Sequence, residues 1–148
     1  MAEINRQQLI LALISAGTNP RLAGVDLSAL DMTRLDMSGA NVRGANLQAA
    51  TLRESILRVA NLSFVNAITA VMVGIDLDGA NCTGCNFTRA NLTSSRLTNA
   101  NLTGATLNGA NLTGANLKGA NVSGVKFDND TTWPDGKKGA AGNPASYT

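Results

Sequence analysis

Histidine is absent from the 148 residues. That removes the commonest general base and the commonest metal ligand at neutral pH. Aromatic residues make up only 3% of the chain, too few to build a stacking platform for single-stranded nucleic acid. Lysine and arginine total 12 against 10 aspartates and glutamates, and the signs are mixed: Asp26, Asp31, Asp36 and Glu54 stand among Arg34, Arg43, Arg53 and Arg58. No basic stripe is formed, so binding to nucleic acid is not expected. The longest apolar run, Leu9–Ile14, has six residues, far below the ~20 that span a bilayer. It is preceded by Glu3 and a single Arg6, and followed by Ser15-Ala-Gly, a poor match to a secretory leader. Two cysteines make no disulfide framework. The expectation is a cytoplasmic chain with no membrane partner.

What the chain has in abundance is a five-residue period. It runs in frame from Val25 to Asn129 as twenty-one consecutive pentapeptides, and a fixed period takes precedence over local secondary-structure signals. The central residues, from Leu27 and Met32 through Leu102, Leu107 and Leu112 to Phe127, are all apolar. Two places earlier stands a second apolar set, mostly alanine, as in Ala40, Ala45, Ala100 and Ala110. Asparagine or aspartate, then threonine, serine or a charge, then often glycine fill the other places.

A helix cannot use this pattern, because five residues advance it by about 500° and successive centres drift about 140° around the axis. A continuous strand fails as well, since an odd period flips every second centre to the opposite face. The pattern works if the chain turns a corner once per repeat. The centre and the alanine before it then point inward, and the other three positions face water. Glycine closing ten of the repeats suits a corner with an unusual backbone. The expected class is therefore all-β, a β-solenoid.

Runs such as Ala100-Asn-Leu-Thr-Gly, Ala110-Asn-Leu-Thr-Gly and Ala115-Asn-Leu-Lys-Gly resemble the pentapeptide-repeat family, whose pattern is A-(D/N)-L-x-x. The resemblance implies a right-handed quadrilateral β-helix with four repeats per coil, hence about five coils, roughly 25 Å long at ~4.8 Å per coil. Asparagine stacked on asparagine and threonine on threonine would form polar ladders. With its helical start and Thr132-Trp-Pro-Asp-Gly ending, the chain looks like the short single-domain members from photosynthetic bacteria.

The two open ends of a solenoid need covers. Residues 1–24 break the repeat and read as a capping helix and linker. Asn5 and Gln8 stand at capping-box spacing, Ile4 and Leu9 at hydrophobic-staple spacing, and Gly17 and Pro20 stop the helix. Residues 25–129 form the β-helix. Residues 130–148 form a C-terminal cap, with Trp133 folded over the last coil, Pro134 barring a further repeat strand, and a flexible tail from Lys137.

No catalytic residue, cofactor site or metal site is expected. Cys82 and Cys85 have C-x-x-C spacing but fall on a centre and a small inward position, so they read as core. Asp26, Asp31 and Asp36 fall on successive walls and are followed one coil later by Asn46, Thr51 and Ile56, which argues against a carboxylate cluster. Asp76 and Asp78 read as a solvated face. One stretch departs from the pattern: Ile56, Val59, Phe64, Ile68, Val71 and Val73 are apolar at outward positions. Three readings fit: a partner or dimer surface, a loop at 63–74 leaving the coil and packed on the wall, or tolerated exposure. The function these features suggest is a non-catalytic protein-interaction or scaffold module, a monomer or weak homodimer with an unknown protein partner. The alternative that the resemblance raises, a DNA-mimicking modulator of DNA gyrase of the quinolone-resistance type, wants an acidic surface and is disfavoured by a charge of +2.

Overall fold

A computed structural model describes residues 2–17 and 19–148. From Arg21↔Asn41 to Thr106↔Lys126, every fifth residue pairs in parallel with the residue twenty positions later. Twenty residues thus make one coil with four walls. The first wall pairs Arg21, Asn41, Asn61, Asn81, Asn101 and Asn121. The second pairs Asp26, Asn46, Asn66, Asn86, Thr106 and Lys126. The third runs Asp31, Thr51, Val71, Asn91, Asn111, and the fourth Asp36, Ile56, Asp76, Arg96, Asn116. Each wall contributes one paired residue per coil before the chain bends, which is why extended strands do not form.

The corner has a simple mechanism. In each repeat the backbone N–H two residues after the centre's neighbour returns to the centre's carbonyl, as in Ala110 N to Leu107 O at 2.9 Å, closing a β-turn. From Gly24 to Gly124 the third residue of that turn always has positive φ, with glycine at some corners and residues such as Ala29, Arg34, Glu54, Val59 and Phe64 at others. This is the requirement of a type II turn, and it is why glycine recurs. The asparagine of each repeat has its own task. Asn101 Oδ1 accepts both the backbone N–H of Thr103 at 3.1 Å and its hydroxyl at 2.6 Å, an Asx turn that holds the residue across the corner. Threonine therefore serves its own repeat more than a ladder. The expected asparagine ladder is seen on the second wall, where Asn66 Nδ2 donates to Asn46 Oδ1 at 3.1 Å and Asn46 Nδ2 to Asp26 Oδ1 at 3.1 Å.

Although the centre Val122 is half-buried and the centre Phe127 is 36% exposed, the centres from Leu22 to Leu117, with the small inward residues, Leu9 and Trp133, form one continuous buried core. Its one small centre, Ala67, sits next to Phe87 one coil later, with Val65 and Ile75 enlarging the neighbouring inward positions. Volume is conserved across the two coils, as a close-packed interior demands.

Both ends differ from expectation in detail. The repeat begins one pentapeptide earlier than Val25: Pro20 is buried, Leu22 is buried at a centre, and Arg21 pairs with Asn41. Proline fits this first inward place because no repeat precedes it whose turn its N–H would close, while its carbonyl still accepts from Asn41 N–H at 2.8 Å. Helix α1 (Arg6–Ala16) starts at a full capping box between Asn5 and Gln8. It buries Leu9 and lays Leu13 against the core, where Ile4 just before it also packs. It also serves the open edge: Glu3 N–H donates to Asp26 O at 2.9 Å, and the Arg6 guanidinium donates to Asp31 O and Thr33 O at 2.7 and 2.8 Å. These carbonyls face the side where no earlier coil exists.

At the other end one extra residue enters before Thr131, so Asn111 pairs with Thr132, twenty-one positions on. Trp133 then takes the place of a centre, fully buried, and Pro134 does not bar the repeat. Its position needs only a carbonyl, and Gly114 N–H donates to Pro134 O at 2.9 Å. The residues from Lys137 are not a loose tail. Lys138 pairs antiparallel with Thr132, two short 3₁₀ turns follow (Gly139–Ala141 and Pro144–Tyr147), and Tyr147 stacks on Trp133 at 5.8 Å while Phe127 meets its edge at 5.2 Å. Trp133 Nε1 donates to Gly139 O at 2.8 Å. The tryptophan supplies enough buried surface to hold a segment whose composition looks disordered.

Candidate interaction surface

Residues 63–74 stay in the coil. Asn61, Asn66 and Val71 pair with Asn81, Asn86 and Asn91 in register. The loop reading fails because an insertion of five or ten residues would rotate every later repeat onto another wall, and no such rotation occurs. The six apolar outward residues separate into two groups. Ile56 lies on the fourth wall, Ile68 on the second, and Val71 and Val73 on the third; all four are half-buried beside their coil neighbours. Val59 and Phe64 are the exposed pair, at 73% and 59%. They occupy the two corners that bound the first wall.

Phe64 has an unusual seat. Its corner column reads Gly24, Gly44, Phe64, Gly84, Gly104, Gly124, and its ring lies against Gly84, where an added Cβ would stand 2.7 Å from Cδ1. One coil earlier the Arg43 guanidinium stands over the ring, 5.7 Å from its centroid, within cation–π range. Arg43 lies outside the set that apolar patterning picks out. The twenty-residue register, which stacks position 43 beside the corner at 64, is the signal that finds it.

The carboxylates on the walls are committed to the fold. Hydrogen bonds from Ser28, Thr33 and Ser38 hold Asp26, Asp31 and Asp36 below the usual carboxylate range. Arg34 meets Glu54 at 2.7 Å, Arg58 meets Asp76 at 2.6 Å, and Arg96 reaches both Asp76 and Asp78. Thr98 donates to Asp78, and that bond chiefly lowers the Asp78 pKa. Asp76, with its side chain only 14% exposed, is thus part of an ion-pair network rather than a solvated face.

Cys82 and Cys85 are free and fully buried. Their mutual hydrogen bond and burial push the Cys82 thiol well above its ordinary value, the opposite of an activated thiol. An open cleft of about 500 Å³ between α1 and the corner at Gly39 and Val59 has Asp36 as its one ionisable lining group. Among the described residues no group of three acidic or cysteine side chains is placed to hold a metal, and no helix is long and apolar enough to cross a membrane.

A four-walled coil with inward leucines and turn-bound asparagines defines a β-solenoid built of pentapeptides. The chain belongs to the pentapeptide-repeat family: the family model described as pentapeptide repeats (8 copies) matches residues 21–58, 55–93 and 95–129. Its members fold as right-handed quadrilateral β-helices, and they are generally structural or interaction proteins. No curated protein sequence matches the chain significantly. Among solved structures it is similar to the pentapeptide repeat protein Rfr23 from the cyanobacterium Cyanothece 51142, at 27% identity over 86% of this chain and 99% of that one, TM-score 0.36. It is also similar to a trypsin-treated form of QnrB1, a plasmid-mediated fluoroquinolone resistance protein, at 19% identity over 74% and 82%, TM-score 0.53. A third is HetL, involved in heterocyst differentiation regulation in the cyanobacterium Nostoc sp. strain PCC 7120, at 24% identity over 81% and 62%, TM-score 0.31. The likeness to QnrB1 is one of fold.

Proposed function

We propose that the protein is a non-catalytic interaction module, a rigid cytoplasmic rod of about five coils that presents the first wall and its two corners to a protein partner. The observation that carries this reading is Phe64: a ring 59% exposed on a corner otherwise made of glycine, in a coil too regular to need it for packing. Solenoids offer extended, regular surfaces suited to such display. The cleft beside α1 has a single ionisable lining group, Asp36, and the two thiols are buried, which supports a non-catalytic reading. Gyrase mimicry is disfavoured: it needs a strongly acidic surface, and here 10 acidic residues are outnumbered by 12 basic ones.

The test uses the purified full chain as immobilised bait in a native cell extract, with wild type beside Phe64→Ser/Val59→Ser. Both residues are exposed, so the double variant should melt within about ±0.5 kcal/mol of wild type per site. Proteins retained by wild type are expected to be lost with the variant. An identical set on both baits would refute the assignment of this surface.

A further inference from the structure

The first wall differs from the other three in charge. Asp26, Asp31 and Asp36 open the second, third and fourth walls, whereas the outward positions of the first wall hold no carboxylate. They are asparagine, serine, threonine, alanine and glycine, with Arg21, Arg43 and Phe64. Neither Arg21 nor Arg43 has a carboxylate within ion-pair distance among the described residues, unlike Arg34, Arg58 and Arg96. Helix α1, which packs next to Arg21, brings no acid either: Arg6–Ala16 reads RQQLILALISA.

Size narrows the occupant further. From Arg21 to Asn121 the wall climbs five coil spacings of ~4.8 Å, about 24 Å, and it is about 10 Å wide. That strip of roughly 250 Å² falls far short of the ~800 Å² per partner of a standard interface between globular proteins. A second copy laid face to face would bring no carboxylate to Arg21 or Arg43, since the wall holds none. A single extended chain fits both width and length, spanning the strip in about seven residues.

We propose that the first wall binds a short, extended, acidic peptide segment, with an apolar side chain seated against the exposed part of the Phe64 ring and a carboxylate on Arg43. The glycine column leaves the step beside the ring open: at Gly44 and Gly104 an added Cβ would meet nothing within 4 Å. Arg43 already stands over the ring, so a carboxylate that pairs with it lies next to the apolar seat. Charge gives the segment its direction of recognition, and the ring gives it its register along the wall. This inference rests on the interaction-surface reading and adds the partner's chemistry.

The experiment is nitrogen-15 NMR titration of the full chain with capped seven-residue peptides: one alternating glutamate and leucine, one lysine and leucine, one glutamate and serine. A seven-nucleotide oligothymidylate forms a fourth arm, and sedimentation reports self-association. The glutamate–leucine peptide should shift the amides of Arg43, Gly44, Phe64 and Gly84 in a saturable way. Phe64→Ser and Arg43→Glu should each weaken binding about tenfold or more, and Arg43→Lys should retain part of it. The other two peptides should leave those amides unmoved. Equal binding of the lysine–leucine peptide or the oligonucleotide, shifts confined to other walls, no saturable binding, or dimerisation lost with Phe64→Ser would each overturn the proposal. If Phe64→Ser/Val59→Ser still abolishes capture from extract while the acidic peptide does not bind, the interaction surface stands and the acidic-segment chemistry fails.

Discussion

At the scale of single residues, the corner decides more than the core. Any apolar residue of suitable volume can serve as a centre, and leucine, methionine, valine, cysteine, phenylalanine and alanine all do. The corner asks for positive φ, which costs a non-glycine residue roughly 1–2 kcal/mol. Ten corners accept that cost, so strain alone does not explain why the Phe64 column is otherwise glycine. The added cause at Gly84 is the ring itself. Gly104→Ala should lower stability by the strain alone, about 1 kcal/mol. Gly84→Ala should cost clearly more, because its Cβ must displace the ring. In a Phe64→Ala background the two alanine substitutions should become equal. Thermal or denaturant unfolding of the five variants measures this, and equal costs in the wild-type background would show that the ring does not rest on Gly84.

At the scale of elements, the two caps solve one problem by different means. The first coil has carbonyls with no earlier coil to serve them, and the N-terminal cap answers with the Glu3 backbone N–H and the Arg6 guanidinium of α1. The last coil has N–H groups with no later coil, and the chain answers by continuing: Thr132 O and Pro134 O accept from Leu112 and Gly114, and the Asp128 side chain accepts from Gly109 at 2.8 Å. The closing segment is then tied down by Asp135. Lys137 and the Tyr147 hydroxyl both donate to its carboxylate, and the Lys137 hydrogen bonds chiefly lower its pKa to about 2. An unfolded aspartate titrates near ~3.9. The folded value is depressed, so its stabilisation is full above pH ~4 and is lost as pH falls toward ~2. Trp133 fluorescence should report loosening of the cap across that window. In Asp135→Asn the cap should be weaker at neutral pH, and its acid titration should lose this component. Superimposable acid titrations of Trp133 in the two proteins would remove Asp135 from this role.

At the scale of the whole molecule, the architecture was legible because its signal is arithmetic. A period of five with one apolar centre leaves few ways to hide the centres, and the frame names every inward residue from Leu27 to Leu117 without reference to propensity. The ends were less legible because there the arithmetic stops. Pro20 and Leu22 belong to the coil but lack the alanine–asparagine signature. The single residue added before Thr131 shifts the frame by one, so Trp133 does not look like a centre. The segment after Lys137 reads as disordered from its glycine, alanine and lysine, since composition does not show what a buried tryptophan can recruit through Gly139, Gly142 and Tyr147. Gly142 is needed there, because an added Cβ would fall 2.0 Å from Trp133 Cδ1. Within the interaction surface, apolar patterning finds Val59 and Phe64 but cannot separate them from Ile56, Ile68, Val71 and Val73. Exposure is what divides them, and it depends on the neighbours one coil away.

Because each coil holds twenty residues and each repeat five, the molecule behaves like a four-toothed ratchet. Excising residues 101–120 removes one full revolution. Every wall keeps its phase, and Thr132 should then pair with Asn91, whose Asn-Leu-Thr sequence repeats that at Asn111. Excising only residues 116–120 removes one tooth. The chain should still close, with Trp133 seated over Leu107, but the C-terminal cap would arrive a quarter-turn out of step with α1. Both proteins should give the far-ultraviolet spectrum of the parent and a cooperative melt. Distances between spin labels on α1 and in the closing segment should tell them apart, changing along the axis in the first and around it in the second. Surface patterns on such a rod can therefore be re-phased by insertion or deletion without rebuilding the core, which gives evolution a discrete dial for moving the Phe64 corner relative to everything beyond it.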